Sequence, residues 1–585
     1  RRIATKPECP TMFRTVLIIS FSVSFLCLAS LTRKGDTEWY KNSLVYQVYP
    51  RSFKDSDGDG IGDLNGITSK LEHIADIGAT VVWLSPIFSS PQVDFGYDIS
   101  NFTDIDRQYG TLADFDRLVK KAKSLGLKVV LDYVPNHSSH EHDWFKKSIK
   151  RIKPYDEYYV WRNAKIVNGT RHPPNNWLSI FQGSGWEWNS ERRQYYLHQF
   201  AIGQPDLNFR STKLQQEMKD ILTFWMERGV EGFRIDSMTA LIEDARFLDE
   251  PKSNKTGIAD DDFDSLLHIY TQNQEENYFI LKSWRQWIDE YTNRTNGDLK
   301  ILLTEAYTTP EYTMLYYQNG SNVPFNFMFI ADLNNQSTAL DFKRLTDRWM
   351  NTIPGDEYVA NWVVGNHDNH RVASRFGVKR ADQFNMLANV LPGVGVIYNG
   401  DEIGMVDRPF TYAETVDPAG CNAGPDRYHL KSRDPERTPF QWDSTTSAGF
   451  SSNPKTWLPV HSNYKTLNLA AQKAAKISHY KVFKRIMSLK KKPIVARGSL
   501  EVTAVTENAL GVVRRLGSSV LALLINFSEG PVTLDARTWL NVPEVMVFNV
   551  WSMTSNVNAT TPVNMTTLTL PGAASIIYTT PDLYQ

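Results

Sequence analysis

A repeating unit of amphipathic helix, glycine stop and short apolar run constrains this chain more than any other feature. In residues 68–84, Leu71, Ile74, Ala75 and Ile77 recur at helical spacing, Gly78 stops the helix, and the run Thr80–Leu84 follows. Residues 111–132 repeat the pattern. Thr111 is placed to cap a helix carrying Phe115, Leu118, Ala122 and Leu125; Gly126 ends it and Leu127–Leu131 follows. Residues 212–236 repeat it again, with Leu214, Met218, Ile221, Leu222 and Trp225, then Gly229, then Gly232–Ile235. A 3.6-residue period followed by a continuous apolar run is the signature of a helix packed on a strand that is buried on both faces, and such strands form parallel sheets. Five more runs of the same kind are Leu44–Tyr49, Lys300–Thr304, Phe325–Phe329, Trp362–Gly365 and Val394–Tyr398, which makes eight strands. Eight strand–helix units in this length predict an α/β fold, a closed (β/α)8 TIM barrel rather than an open sheet.

The rhythm breaks twice. Residues 138–208 are polar and aromatic, with Pro173-Pro174 and Trp177, Trp186 and Trp188, and read as a small domain inserted after the third strand. The barrel then occupies 31–137 and 209–494. Residues 495–585 shift to Val/Thr-rich runs such as Val520–Asn526 and Val532–Leu534, which predict a C-terminal antiparallel β-sandwich. Residues 1–30 read as leader and secretory signal: Met12, the basic Arg14, then an apolar stretch from Val16 to Ala29. That stretch is shorter than the roughly 20 apolar residues a span needs, so no membrane span is expected in the mature chain. Secretion and glycosylation agree with Asn-x-Ser/Thr sites at Asn101, Asn168, Asn254, Asn293, Asn319, Asn335, Asn526, Asn558 and Asn564. Asn136 also matches, but it lies in the site described next. With Cys9 and Cys27 in the leader, Cys421 stands alone, and no internal disulfide is expected. The 64 Lys+Arg balance 65 Asp+Glu, leaving no basic face for nucleic acid. The abundance of rings (16 Trp, 26 Tyr and 29 Phe) suits a cleft that stacks on flat ligand faces.

In barrels of this kind the active site lies at the C-terminal ends of the strands. The third strand ends in Asp132-Tyr-Val-Pro-Asn-His137, the fourth in Arg234-Ile-Asp236, the fifth in Leu303-Thr-Glu305 and the seventh in Gly365-Asn-His-Asp368. Three carboxylates and two histidines thus converge on one rim. A carboxylate ending a buried strand is costly unless paired or functional. One alone could be a structural ion pair; three on different strands point to cleavage of a glycosidic bond. One attacks the anomeric carbon, one protonates the leaving oxygen and one stabilises the cationic sugar. Arg234 faces the same side as Asp236 and would keep it ionised. No open His/Cys metal cluster and no Gly-x-Ser-x-Gly elbow competes, and no organic cofactor is expected. A separate run, Asp55-Ser-Asp57-Gly-Asp59-Gly-Ile61-Gly-Asp63, alternates oxygens and glycines as hard-cation loops do. It departs from an EF-hand loop, with Gly66 at position twelve and a strand before it. It predicts a structural calcium site with Asp55, Asp57, Asp59 and Asp63 binding through side chains and Ile61 through its carbonyl.

Over residues 38–585 the chain resembles the alpha-amylase-type glycoside hydrolases of family 13 and, within them, the insect alpha-glucosidase (maltase) branch. The resemblance rests on Asp132–His137, Gln204-Pro-Asp-Leu-Asn208, Gly232–Asp236, Leu303-Thr-Glu-Ala-Tyr307, Val364–Asp368, Gly400-Asp-Glu402 and Ser432-Arg-Asp-Pro-Glu-Arg-Thr-Pro-Phe-Gln-Trp442, in that order. It implies Asp236 as nucleophile, Glu305 as general acid/base and Asp368 as transition-state stabiliser. It implies that His137 and His367 bond sugar hydroxyls, that Asp94 and Arg371 grip the nonreducing terminal glucose, that Tyr97 stacks on it and that Asp98 orients the site from behind. Phe181 and Phe200 read as core. The implied activity is exo-cleavage of α-1,4-linked glucose from maltose, malto-oligosaccharides and sucrose by a retaining double displacement. Ser237, a small residue after the nucleophile, goes with α-1,4 rather than α-1,6 preference. An oligo-1,6-glucosidase or a glucosyl-transferring isomerase is the nearest alternative. A noncatalytic surface receptor or transporter partner is the alternative from another class, and the complete triad argues against it.

Overall fold

The computed structural model describes residues 35–555, 557 and 562–584. The leader and signal expectation for residues 1–30 and the sequon at Asn558 lie outside them. Eight strands form one sheet: β1 (Leu44–Val48), β2 (Val81–Leu84), β3 (Lys128–Tyr133), β4 (Gly232–Ile235), β5 (Ile301–Thr304), β6 (Val323–Pro324), β7 (Asn361–Val363) and β8 (Val394–Tyr398). Their order is β6-β5-β4-β3-β2-β1-β8-β7, and every neighbouring pair is parallel. All residues of β2, β4, β5 and β8 are buried, which is why these strands read as continuous apolar runs.

The sheet closes between β6 and β7 through a side chain rather than a backbone ladder. The Asn361 amide donates from Nδ2 to the Pro324 carbonyl (2.6 Å) and accepts at Oδ1 from the Asn326 N–H (2.8 Å). Pro324 has no N–H to give a ladder, so the sixth strand is only two residues long. The run Phe325–Phe329 is therefore not the sixth strand, as its composition suggests. It follows the strand and turns into a short helix, Met328–Ala331.

The helices between strands form where their caps and apolar stripes dictate. The helices α1 (Leu64–Asp76), α2 (Leu112–Ser124) and α3 (Thr212–Glu227) start at Asp63, Thr111 and Ser211, each of whose side chains accepts a backbone N–H of the first turn. Thr111 and Asp114 form a reciprocal capping box. On α3, Leu214, Met218, Ile221, Leu222 and Trp225 face the barrel. Trp225 is fully buried; its ring packs edge-on against Phe115 of α2 (5.1 Å) and its indole N–H donates to the Phe102 carbonyl (2.9 Å). Truncating it would cost about 3–5 kcal/mol.

Between β3 and α3 lies a small antiparallel sheet of strands Trp161–Arg162, Gln194–Leu197 and Trp186–Asn189. After the barrel, strands from Ser499 to Thr579 build a six-stranded sheet and a separate two-stranded one, the antiparallel layers of a sandwich. Six sequons, Asn101, Asn168, Asn254, Asn293, Asn335 and Asn564, are exposed, and Asn319 is half-buried. Asn526 is a correction. It is wholly buried, and its Nδ2 donates to the carbonyls of Gly530 (2.8 Å) and Pro571 (2.9 Å), so it offers no amide for a glycan in the folded chain. Among the described residues no helix is long and apolar enough to cross a membrane.

Candidate active site

The loops at the C-terminal ends of the strands surround an open cleft of about 320 Å³. It is lined by Asp94, Tyr97, His137, Asp236, Glu305, His367 and Asp368 together with Phe200, Ser237 and Tyr307. Seven of the residues singled out from the sequence thus meet in one pocket. Arg234 stands behind it, 1% exposed, and fixes three carboxylates at once. Its Nη1 bonds Asp132 Oδ1 (2.9 Å) and Asp236 Oδ1, and its Nη2 lies 3.4 Å from Glu305 Oε2. Asp132 is held in turn by the hydroxyl of Tyr97 (3.0 Å), so the ring at the pocket wall and the cation behind it share one anchor. Ser237, directly after Asp236, sits in the left-handed region (φ +49°), and in that conformation its N–H donates to Glu305 Oε2 (2.6 Å). Strain of this kind persists where the surroundings over-determine it.

The carboxylates are not electrostatically equivalent. Burial, helped by the nearby charges of Asp236 and Asp368 and opposed by Arg234, pushes Glu305 up to about 8. Burial acts on Asp368 too, but there the His367 imidazole and the guanidinium groups of Arg437, Arg433 and Arg234 outweigh it and hold the carboxyl well below the usual range. Arg437 Nη2 is 2.8 Å and Arg433 Nη1 3.3 Å from Asp368 Oδ1. One acid that keeps its proton near neutral pH beside one that stays ionised is the division of labour of an acid-catalysed displacement. Both histidines are buried and pushed down, His137 to about 4, so they act as neutral hydrogen-bonding groups. His137 is fixed between Asn136 Oδ1 (3.0 Å) and Gln204 Nε2 (3.1 Å). His367 faces the Gln47 amide (2.8 Å) and stacks on Tyr97 at 5.2 Å.

The far end of the cleft departs from the sequence reading. Arg371 does not reach Asp94. It precedes the short helix Val372–Phe376, and its guanidinium turns back under β8, donating to the Asn399 carbonyl (2.8 Å) over the ring of Tyr398. Gly400 (φ +101°) makes room for it, since a Cβ there would lie 2.8 Å from Nη1. The cation that does pair with Asp94 is Arg433, at 2.8 Å, itself anchored by Asp417 (2.6 Å) and lying over Phe181. Asp98 accepts from the Asp94 and Val93 N–H groups (3.0 and 2.8 Å) and so shapes the loop that presents Asp94. Arg433, Arg437 and Gln204 were within reach of the sequence: they belong to the segments Ser432–Trp442 and Gln204–Asn208 on which the family resemblance rests. Phe200 lines the pocket rather than the core, whereas Phe181 backs Arg433. Tyr307 is a further lining residue, half-exposed, with its hydroxyl accepting from the Asn366 and Asn369 amides (2.9 and 2.8 Å).

The acidic loop after β1 gathers carboxylate oxygens of Asp55, Asp57 and Asp59 within 4.8 Å of one another. Asp63 stands outside this group, because its oxygens accept from Ser56 N–H (2.6 Å) and from the Gly66 N–H (2.7 Å) at the start of α1. It also caps the helix that follows the loop.

The catalytic-domain model of the alpha-amylase family matches residues 47–498. Maltase 1 of Drosophila virilis is 47% identical over 91% of this chain and 85% of its own. The salivary alpha-glucosidase of Anopheles gambiae is 48% identical over 86% of each chain. The crystal structure of an alpha-glucosyl transfer enzyme, XgtA, superposes with a TM-score of 0.81 at 32% identity, covering 93% of this chain and 99% of that one. With the family's domain matched across the barrel and a cleft ringed by three carboxylates at its strand ends, the chain belongs to the alpha-amylase family of glycoside hydrolases.

Proposed function

We propose that this chain is an exo-acting α-glucosidase that releases terminal nonreducing α-1,4-linked glucose from maltose, malto-oligosaccharides and sucrose by a retaining double displacement. The observation that carries the proposal is the pairing of Arg433 with Asp94 beside Asp368, a charged pair placed to grip the hydroxyls of one terminal ring. Such a grip on a chain end is what would make the attack exo. Asp236 is the nucleophile, and the Arg234 guanidinium pairs with it directly. Glu305 donates its proton to the glycosidic oxygen as the bond breaks, then takes one from water to free the covalent glucosyl ester. Asp368 stabilises the oxocarbenium charge. Both reacting carboxylates touch one guanidinium, which favours the separation of about 5–5.5 Å that retention uses over the wider gap of inversion. Asp94 and Arg433 bond the hydroxyls of the terminal glucose, His137 and His367 bond those nearer the cut, and Tyr97 stacks on the ring.

The likeness to a relative named for saliva supports secretion of this chain. The acidic loop suits calcium: three carboxylates converge with hard oxygen donors, and Asp59 is pushed up by burial and by the charges of Asp57, Asp55 and Asp63, which a divalent ion would relieve. Asp55, Asp57, Asp59, Asp63 and the Ile61 carbonyl would hold it, and it would stiffen the loop without entering the chemistry. Glucose release from maltose, sucrose and isomaltose by the purified chain tests the proposal, beside Asp236→Asn. Cleavage of maltose and sucrose, lost in the variant, is the expected result. Preference for isomaltose would overturn the linkage argument from Ser237, and no release by folded protein would overturn the activity.

A further inference from the structure

Outside the sugar cleft, the loops after β7 and β8 bring His370, Asp407 and Glu436 together. One ligand atom from each lies within 4.8 Å of the others. His370 Nδ1 is 2.8 Å from Asp407 Oδ2 and 3.6 Å from Glu436 Oε2. An imidazole–carboxylate pair accounts for the first contact. It leaves Glu436 unexplained: the residue is 1% exposed, and its Oε2, facing the same point, has no hydrogen-bond partner. Leaving a buried carboxylate oxygen bare forfeits its hydration for nothing, so most such oxygens are satisfied. The loops are well anchored: Asp407 Oδ1 accepts the Arg371 N–H (2.9 Å) and the Asp407 N–H donates to Ser374 Oγ (2.8 Å).

We propose that His370, Asp407 and Glu436 form a binding site for one divalent transition-metal cation of the zinc class. One nitrogen and two carboxylate oxygens match that class, whereas the acidic loop after β1 offers only oxygens and suits calcium. The 2.8 and 3.6 Å separations bracket the roughly 3.4 Å between ligands in a tetrahedron with bonds of about 2.0–2.1 Å. The His370 side chain is half-exposed, so the fourth position opens to water and gives the ion a way in. None of the three residues lines the sugar cleft. His370 follows Asp368 by two residues and Glu436 precedes Arg437, so the ion would tie together the two loops that hold Asp368 and its guanidinium partner. Its role is that of a clamp on those loops.

The test is a titration of Zn2+ alone into the chelator-treated full chain, with millimolar Ca2+ present to occupy the acidic loop, followed by calorimetry and thermal unfolding. One equivalent is expected to bind wild type and Asp57→Asn alike and to raise Tm. Affinity should fall at least tenfold in His370→Ala and in Asp407→Asn, with the Tm gain lost. His370→Ala alters a half-exposed side chain, so it decides the matter even if Asp407→Asn does not fold, and circular dichroism checks the fold without reference to activity. Unchanged Zn2+ affinity in folded His370→Ala would overturn the proposal, as would loss of binding in Asp57→Asn alone.

Discussion

Two groups of acidic residues stand on the same rim of the barrel, and they are held in opposite ways. Asp236, Glu305 and Asp368 are set among fixed cations, with Arg234 behind the first two and Arg437 and Arg433 on the third. Asp55, Asp57 and Asp59 are held mainly by backbone amides: Asp55 accepts from the N–H groups of Asp57, Gly58 and Gly60 and from the Ser451 hydroxyl. No described ion pair involves these three. At Asp368 guanidinium groups hold the carboxyl down, whereas at Asp55 the hydroxyl of Ser451 and backbone amides do so without any cation at contact distance. The rim carries its own cations, and the loop relies on backbone and hydroxyl donors.

The largest test of that contrast is removal of the nucleophile. Asp236→Asn should lower kcat by about 10⁴-fold or more while leaving Tm nearly unchanged, since a neutral amide can still sit against Arg234. Next comes the cation that the far end of the cleft depends on. Arg433→Ala strands Asp94, Asp417 and Asp368 together, and kcat/KM on maltose should fall about 10²–10³-fold, in line with losing charge-assisted bonds worth about 1.5–3 kcal/mol each. Its acid limb should also move upward, because Asp368 loses a cation that favours its charged form. Arg371→Lys, by contrast, should leave KM for maltose within about twofold, as its guanidinium does not face the sugar.

Glu305 gives a third test through pH. Its folded value of about 8 exceeds the unfolded value, so the folded chain holds a proton that the unfolded chain has lost. That contribution to stability is complete below the unfolded value and is lost as pH rises through about 8. Two outcomes should follow together: kcat falls on the alkaline side near 8, and Glu305→Gln, though inactive, shows a flatter Tm between pH 5 and 8 than wild type. A wild-type rate that stays level through pH 9 would contradict the assignment of Glu305 as the proton donor. The smallest effect belongs to the acidic loop. Chelation or Asp57→Asn should lower Tm by about 1 °C, roughly 1 kcal/mol in a chain of this size, with kcat at low temperature unchanged. A loss of kcat that precedes unfolding would erase the distinction between the two acidic groups.

Most of the barrel was legible in the sequence because its strands are buried on both faces and its helices carry clean stripes, one of them with its cap at Thr111. The sixth strand was not, because it closes through the Asn361 side chain and a proline, neither of which has a period. The meeting of Asp236, Glu305 and Asp368 in one cleft was legible because Asp236 and Glu305 directly follow strands and Asp368 lies in the loop after another. The partner of Asp94 was not, because Arg371 and Arg433 lie on loops whose paths only packing decides, and a glycine at 400 diverts the first of them. Asn526 misled for a similar reason: a motif shows which atoms could bind something, but not that neighbouring backbone has already claimed them.

The most direct measurement is to trap the intermediate. Incubation with a 5-fluoro-α-glucosyl fluoride, followed by proteolysis and mass spectrometry, should place one fluoroglucosyl group on Asp236. Label on any other residue, or none while the reagent is turned over, would contradict the double displacement at Asp236.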